Sequence, residues 1–236
     1  MRAMILAAGR GERMRPLTDR CPKPLLEVAG KPLIEWHLER LHAAGFVDVV
    51  INHAHLGEML ERTLGSGERW GLRIAYSAEG VALETAGGIA FALPLLGDAP
   101  FLAVNGDVWC DFDFRAARTM AGAMAGSALD ACCVLVPNPA HNPLGDFGLE
   151  PCDSVAPPLG RLSTSAAPLL TFSGVAVYAP RLFDGIVRGA RAPLAPILRR
   201  VAQQARAAAL RHDGRWVDVG TPERLAELDA RLREES

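Results

Sequence analysis

The chain has 236 residues, half of them hydrophobic and 22% charged, with a formal net charge of −2 at pH 7. That length suits one α/β domain with a large core, or two small domains, and the balance is that of a soluble globular protein. The slightly acidic charge argues against nucleic-acid binding, which needs a net basic face, and no stretch approaches the roughly 20 apolar residues of a membrane span.

Met1 to Ala8 is apolar but short, and arginine-rich sequence follows it directly, so no targeting segment is expected and a cytoplasmic location is. Five cysteines (Cys21, Cys110, Cys132, Cys133 and Cys152) are odd in number and none is spaced as CxxC, which predicts free thiols in a reducing compartment. "AMILAA" reads as a buried strand, apolar throughout. Pro32 opens a helix in which Leu33, Ile34, Leu38 and Leu41 recur at helical spacing, and Gly45 ends it. "VDVVIN" is a second strand, "GEMLERTL" a short helix and "LRIAYS" a third strand. "TAGGIAFALPLL" predicts a helix, "PFLAVNGD" a fourth strand stopping on a polar triplet, "FRAARTMAGAMAG" a helix, and "DACCVLV" a strand that buries Cys132 and Cys133. The alternation predicts an α/β fold with a doubly wound, mostly parallel sheet.

Between Pro137 and Pro168 the rhythm gives way to proline, glycine and serine. Because "TFSGVAVY" returns at once as a strand, this stretch is expected to be an excursion over the sheet that lines a pocket. Helices are then predicted around Leu182 to Val187 and Leu194 to Ala205, and "GRWVDVG" as a last short strand. The arginines from Arg199 to Arg215 read as a solvated face. Thr221 caps the final helix, with Pro222 at its first position.

The loop after the first strand, "LAAGRGERMRPLT", stands where ligands bind in such a sheet. Gly9 and Gly11 are expected to take positive φ and to bring backbone N–H groups close to an anion. Arg10, Arg13 and Arg15 can pair with phosphate oxygens. The loop matches neither GxxxxGK[ST] nor GxGxxG. In "CPKPLLEVAGKPLI", Lys23 lies between two prolines, which hold it on a stiff segment. A positioned lysine beside an arginine-glycine loop suits a polyphosphate.

These two segments together resemble the signature of the sugar-phosphate nucleotidyltransferases, and the resemblance continues in order through "ETAGGI", "VNGDVW", "GDFGL", "TFSGVAVY" and "WVDVGTPERL". It implies a Rossmann-like fold in one domain, residues 1–236, without the left-handed β-helix domain of some bifunctional relatives. The implied reaction joins a nucleoside monophosphate to a sugar 1-phosphate and releases pyrophosphate. A phosphate monoester is already largely dianionic at pH 7, so no general base is required. Catalysis then rests on positioning and charge neutralisation, for which the resemblance implies Arg13, Lys23 and Asp107. It implies nucleotide contacts from Ala8, Gly9, Arg10, Gly11, Glu12, Arg13, Lys23, Ser77, Leu83 and Thr85.

Asp107 ends an apolar strand and Asp218 sits in "WVDVG". A carboxylate among apolar neighbours is costly unless paired or metal-bound, and the resemblance implies that these two jointly hold a catalytic Mg²⁺. It places Asn105 against the sugar phosphate and Asp146, in "GDFGL", against the sugar. Where many relatives carry Glu-Lys-Pro before the "TFSG" strand, this chain reads "SAAPLL". Within the family, "INHAHLG", "LETAGGI", "FLAVNGDVW" and "GDF" are most similar to short members that join UTP to N-acetylmuramic acid α-1-phosphate. Mannose 1-phosphate with GTP, glucose 1-phosphate with UTP or dTTP, and a catalytically silent nucleotide-sugar-binding module stay open as alternatives, as does a monomer or a small homo-oligomer. His53 and His55 lack the partners that would complete a zinc site and are expected to be structural or at the pocket edge. Asp111 and Asp113 are expected to mark a helix entry rather than a second metal site.

Overall fold

A computed structural model describes residues 1–152 and 158–235. Its strands are β1 Ala3–Leu6, β2 Glu27–Val28, β3 Lys31–Pro32, β4 Asp48–His53, β5 Arg73–Ala78, β6 Phe101–Asn105, β7 Val108–Cys110, β8 Ala131–Val136, β9 Gly148–Glu150, β10 Gly160–Ser163, β11 Thr171–Tyr178, β12 Ala207–Arg211 and β13 Trp216–Asp218. The helices are α1 Leu33–Ala43, α2 Gly57–Leu64, α3 Glu84–Leu96, α4 Ala116–Met124, α5 Leu194–Gln203 and α6 Pro222–Glu234. Among the described residues nine strands form one sheet in the order β5-β4-β1-β6-β11-β8-β12-β10-β9. All of them run one way except β11 and β10, so the sheet is mostly parallel.

Side-chain alternation along the strands divides the core in two. Ala3, Ile5, Val49, Ile51, Leu102 and Val104 face one way, where α1, α2 and α4 cover them with Ile34, Leu38, Leu60 and Met120. Met4, Val50, Phe101 and Ala103 face the other way, under α3 and α5. Cys132 and Cys133 are fully buried neighbours on β8 that point to opposite faces, and burial raises both thiol pKa values. The helix α6 packs Leu228 and Leu232 with Met14, Val28, Trp109 and Val219 in a third cluster. Its cap is Thr221, whose Oγ1 accepts from Arg224 N at 3.4 Å. Among the described residues no helix is long and apolar enough to cross a membrane.

Three features differ from the sequence reading. Only a 3₁₀ turn, Pro180–Phe183, forms near the helix expected at Leu182 to Val187; Gly185 and Gly189 follow with φ of +84° and +86°, which break helical backbone. The arginines from Arg199 to Arg215 are solvent-facing as expected, with Arg206 half-buried, but an unexpected strand, β12, runs among them, its three alanines fully buried between β8 and β10. The excursion after Pro137 adds β9 and β10 to the far edge of the sheet, while Asp146 and Phe147, returning through the Phe147–Leu170 bridge, do line a pocket; its residues 153–157 lie outside the described residues.

Candidate active site

The chain order fixes where a crevice opens. From β1 the sheet grows outward through β4 and β5, then the chain crosses to β6 on β1's other side. Strand order reverses between β1 and β6, and ligands bind outside the carboxyl ends of the strands at such a switch point. Leu6 and Asn105 are paired at those ends. Beyond them lies a cavity of about 280 Å³, walled by Ala8, Gly9, Lys23, Thr85, Asn105 and Asp107 among others. A second cavity of about 310 Å³ shares Glu84, Thr85 and Asn105 with it and continues to Asp146, Phe172 and Arg199. The two form one cleft with Asn105 and Thr85 at its waist.

The loop after β1 is folded back on itself. Gly11 has φ +63°, and a Cβ there would lie 2.8 Å from Thr18 Cγ2; Thr18 Oγ1 donates to Gly11 O at 2.8 Å. Gly9 departs from the expectation, because its φ is not positive. What it provides is open space: nothing lies within 4 Å of where its Cβ would be, on the cavity wall. A glycine there lets a ligand approach the backbone.

Lys23 is held by the 3₁₀ turn Lys23–Leu25, with Leu26 N donating to Lys23 O at 3.1 Å. Its side chain is 9% exposed, and Nζ donates to Asp107 Oδ2 at 2.7 Å. Asp107 and Asp218 are brought together by the antiparallel pair β7–β13, which sets Asp218 opposite Val108, and by Val219 N donating to Asp107 O at 2.9 Å. Asp218 Oδ2 accepts from Arg224 Nη1 at 2.7 Å and lies 3.4 Å from His141 Nε2. Arg13 reaches the same corner: a Cβ on Gly220 would clash with Arg224 Nη2 and lie 3.2 Å from Arg13 Nη2. Thus two carboxylates and three cations converge. Among the described residues no group of three or more His, Cys, Asp and Glu side chains is placed to hold a metal by itself. Two hard oxygen donors on adjoining backbone fit an ion such as Mg²⁺, which takes its other ligands from phosphates and water.

Asn52, Glu79 and Leu83 form a polar relay beneath the cleft. Asn52 Oδ1 accepts from Ala7 N at 2.9 Å, Asn52 Nδ2 donates to Glu79 Oε1 at 2.5 Å, and Glu79 Oε2 accepts from Leu83 N at 2.9 Å. Burial pushes the Glu79 carboxyl above its ordinary range, and its two hydrogen bonds oppose that shift. The relay ties the end of β1 to the start of α3. Gly88 is needed because a Cβ there would lie 2.5 Å from Glu79 Oε1. Glu84 takes φ +61°, an uncommon conformation for a glutamate, at the waist of the cleft.

The expected residues therefore sort by place. Ala8, Gly9, Lys23, Thr85, Asn105 and Asp107 line the first cavity, and Asp146 the second. Asp146 Oδ2 accepts from Phe172 N at 2.9 Å and Asn142 Nδ2 at 3.1 Å. Arg10, Gly11, Glu12 and Arg13 line neither cavity; the arginines and Glu12 are exposed on the loop above it. Ser77 and Leu83 are buried behind the wall and line neither cavity. His53 is buried against Glu61, with Nε2 to Oε1 at 2.7 Å, and its ring fills the space a side chain at Gly57 would need. Asp111 and Asp113 are paired with His212 and Arg115. Sequence reasoning missed Asn52, Glu79, His141 and Arg224, and it read Arg199 as solvated, which its exposure bears out, without placing it beside a cavity. The polar residues closing "VVIN" and "GTPER" were the signals for Asn52 and Arg224.

Residues 2–154 match the sequence profile of the family described as Nucleotidyl transferase. The chain is 57% identical over 231 residues to the N-acetylmuramate alpha-1-phosphate uridylyltransferase of Neisseria meningitidis, covering 98% of this chain and 97% of that one. It is 35% identical to the protein of the same name from Caulobacter vibrioides, again over 98% and 97% of the two chains. The structure of a UDP-glucose pyrophosphorylase complexed with UDP-glucose superposes with a TM-score of 0.78 at 19% identity, over 100% of this chain and 99% of that one, and so shares the fold. A profile spanning well over half the chain, and relatives matched along nearly their whole length, show that this chain belongs to the nucleotidyl transferase family.

Proposed function

We propose that this chain transfers UMP from UTP to N-acetylmuramic acid α-1-phosphate, giving UDP-N-acetylmuramic acid and pyrophosphate, in the cytoplasm and with Mg²⁺. The observation that carries the proposal is the Lys23–Asp107 pair, 2.7 Å apart, on the wall of a two-chambered cleft with Asp218 in the adjoining strand. The near-full-length likeness to the Neisseria protein supports the choice of base and sugar.

In this reading the triphosphate lies in the first cavity along Ala8 and Gly9, and the sugar lies in the second. An oxygen of the sugar 1-phosphate attacks the α-phosphorus in line. One P–O bond forms and the bond to pyrophosphate breaks, so no proton need move. Asn105, at the waist, orients the attacking phosphate. Lys23 supplies a fixed cation that meets the α-phosphate without reorganisation, because its stem is buried. Arg13, beside Gly220, draws the leaving phosphates toward the exposed end of the cleft. Asp107 and Asp218 would hold Mg²⁺, which when bound neutralises phosphate charge. The relay from Ala7 through Asn52 and Glu79 to Leu83 keeps phosphate loop and base-side helix in register.

The test is pyrophosphate release with Mg²⁺ for UTP, GTP, CTP and dTTP against the 1-phosphates of N-acetylmuramic acid, glucose and mannose. Release confined to UTP with the muramic sugar is expected. Release with GTP and mannose 1-phosphate would transfer the chain to another branch of its family, and release with no pair would refute the reading.

A further inference from the structure

Arg199 is a cation in the cleft for which the transfer chemistry has no use. It lines the second cavity and not the first, so it stands away from the triphosphate. It follows Leu198, which is 1% exposed and anchors α5 in the core. The backbone of Arg199 is therefore fixed by a helix anchored in the core, and its exposed side chain lines the cavity. Among the described residues its guanidinium has no carboxylate partner, although two acids line the same cavity. Glu84 pairs with Arg191 at 3.2 Å, and Asp146 Oδ2 is taken by Phe172 N and Asn142 Nδ2. Beside these polar groups the same wall carries apolar surface from Phe147, Phe172 and Leu194.

A sugar 1-phosphate that enters with its phosphate at Asn105 presents the rest of its ring to this wall. A plain hexose offers only hydroxyl groups, which can accept from a guanidinium but leave its charge uncompensated. A ring bearing a 3-O-lactyl ether and an acetamido group offers one carboxylate and two methyl groups. An arginine fork is the side chain best suited to a carboxylate, through two parallel N–H···O contacts. We infer that Arg199 is the specificity-determining residue that pairs with the lactyl carboxylate of the sugar substrate, with Phe147 and Phe172 receiving its methyl groups. This rests on the proposed function and adds to it the residue that separates the muramic sugar from neutral ones.

The experiment crosses two substrates with two proteins. The substrates are N-acetylmuramic acid α-1-phosphate and the same compound with its lactyl carboxyl converted to the primary amide. The proteins are the wild type and Arg199→Ala, with Arg199→Lys as a third. The wild type is expected to prefer the acid by roughly ten- to hundredfold in kcat/KM, as a charge-assisted pair lost to a neutral isostere implies. In Arg199→Ala that preference is expected to collapse to about onefold, mainly through KM for the acid, and Arg199→Lys to restore part of it. Persistence of the full preference in Arg199→Ala would overturn the assignment, and so would equal use of acid and amide by the wild type; both leave the uridylyl transfer reading standing. A wild type that uses neither compound but does use glucose or mannose 1-phosphate removes the functional reading, and the inference with it. Because Arg199 is exposed on α5, loss of fold does not confuse the comparison; circular dichroism of the variants checks this.

Discussion

Lys23 Nζ and Asp107 Oδ2 meet at 2.7 Å, joining residues 84 positions apart across the mouth of the β1–β6 crevice. The pair is asymmetric: the lysine side chain is 9% exposed and the aspartate 39%. A buried stem fixes the cation, while the aspartate keeps an open side for other ligands.

Asp107→Asn keeps the shape and removes the charge. Its turnover is expected to fall at least about a thousandfold, since it deletes both a proposed metal ligand and the lysine's counter-charge. The aspartate side is 39% exposed and an asparagine Oδ1 can still accept from Lys23 Nζ, so Tm should stay within about 3 °C and the circular dichroism spectrum should be unchanged. Near-normal pyrophosphate release from this variant would remove Asp107 from the catalytic set.

Lys23→Met separates two roles of the same ammonium group. Methionine fills the buried stem's space without charge. Turnover should fall roughly a hundredfold as transition-state charge loses its fixed partner. Nζ competes with a divalent ion for Asp107, however, so nucleotide-free Lys23→Met should bind Mn²⁺ more tightly than the wild type. Electron paramagnetic resonance titration reads this directly. Weaker Mn²⁺ binding in the variant would mean that Lys23 organises the carboxylates instead of competing for them.

Gly88→Ala tests the relay under the cleft. In an ordinary helix interior the change would stabilise by about 1 kcal/mol. Here the added Cβ would lie 2.5 Å from Glu79 Oε1 and 2.8 Å from Asn52 Nδ2. Both atoms are already held, so they cannot swing away without breaking the contacts to Ala7 or Leu83. The expected result is destabilisation by about 1–3 kcal/mol, with KM for UTP raised several-fold. In a Glu79→Ala background the penalty should shrink, because the clashing oxygen is gone. Equal penalties in both backgrounds would locate the strain elsewhere.

How much of this was legible from sequence depends on the range of the interaction. The strands β1, β4 and β6 and the helix α1 declare themselves by local apolar pattern, and Thr221 and Pro222 declare α6 by capping chemistry. The strand β12 does not, because Ala207, Ala208 and Ala209 carry no alternation; only burial between β8 and β10 makes them a strand. Lys23, Asn105 and Asp107 were legible because their own segments fix them. The partners of Asp218 were not: Arg224 lies on the next helix, and His141 comes from a loop 77 positions earlier by number (218 − 141) that stacks on Trp216. Gly9 and Gly11 look alike in sequence, yet only Gly11 adopts positive φ. Arg199 reads as one more surface arginine until α5 is laid against the second cavity.

His37 sets a pH limit on the fold that is separate from catalysis. It is 2% exposed on α1, its ring centroid lies 6.2 Å from that of Phe114, and its Nε2 has no hydrogen-bond partner among the described residues. Burial pushes its pKa from 6.5 down to about 4, against an opposing hydrogen bond with the Val108 backbone. The native state therefore keeps the ring neutral in a range where the unfolded chain binds a proton. The resulting stability is present above pH 6.5 and is lost as pH falls toward about 4. The loss is on the order of 3 kcal/mol across that window. Carboxyls held low by their partners, such as Asp229 beside Arg233 and Glu150 beside Arg161, lose their contribution only below the ordinary values of 3.8 and 4.5, so most of the histidine window lies above theirs. His37→Met should remain folded and show a flatter dependence of urea-unfolding free energy between pH 6.5 and 4. Parallel curves for the variant and the wild type would show that the ring is already protonated in the native state, and that the slope belongs to another group.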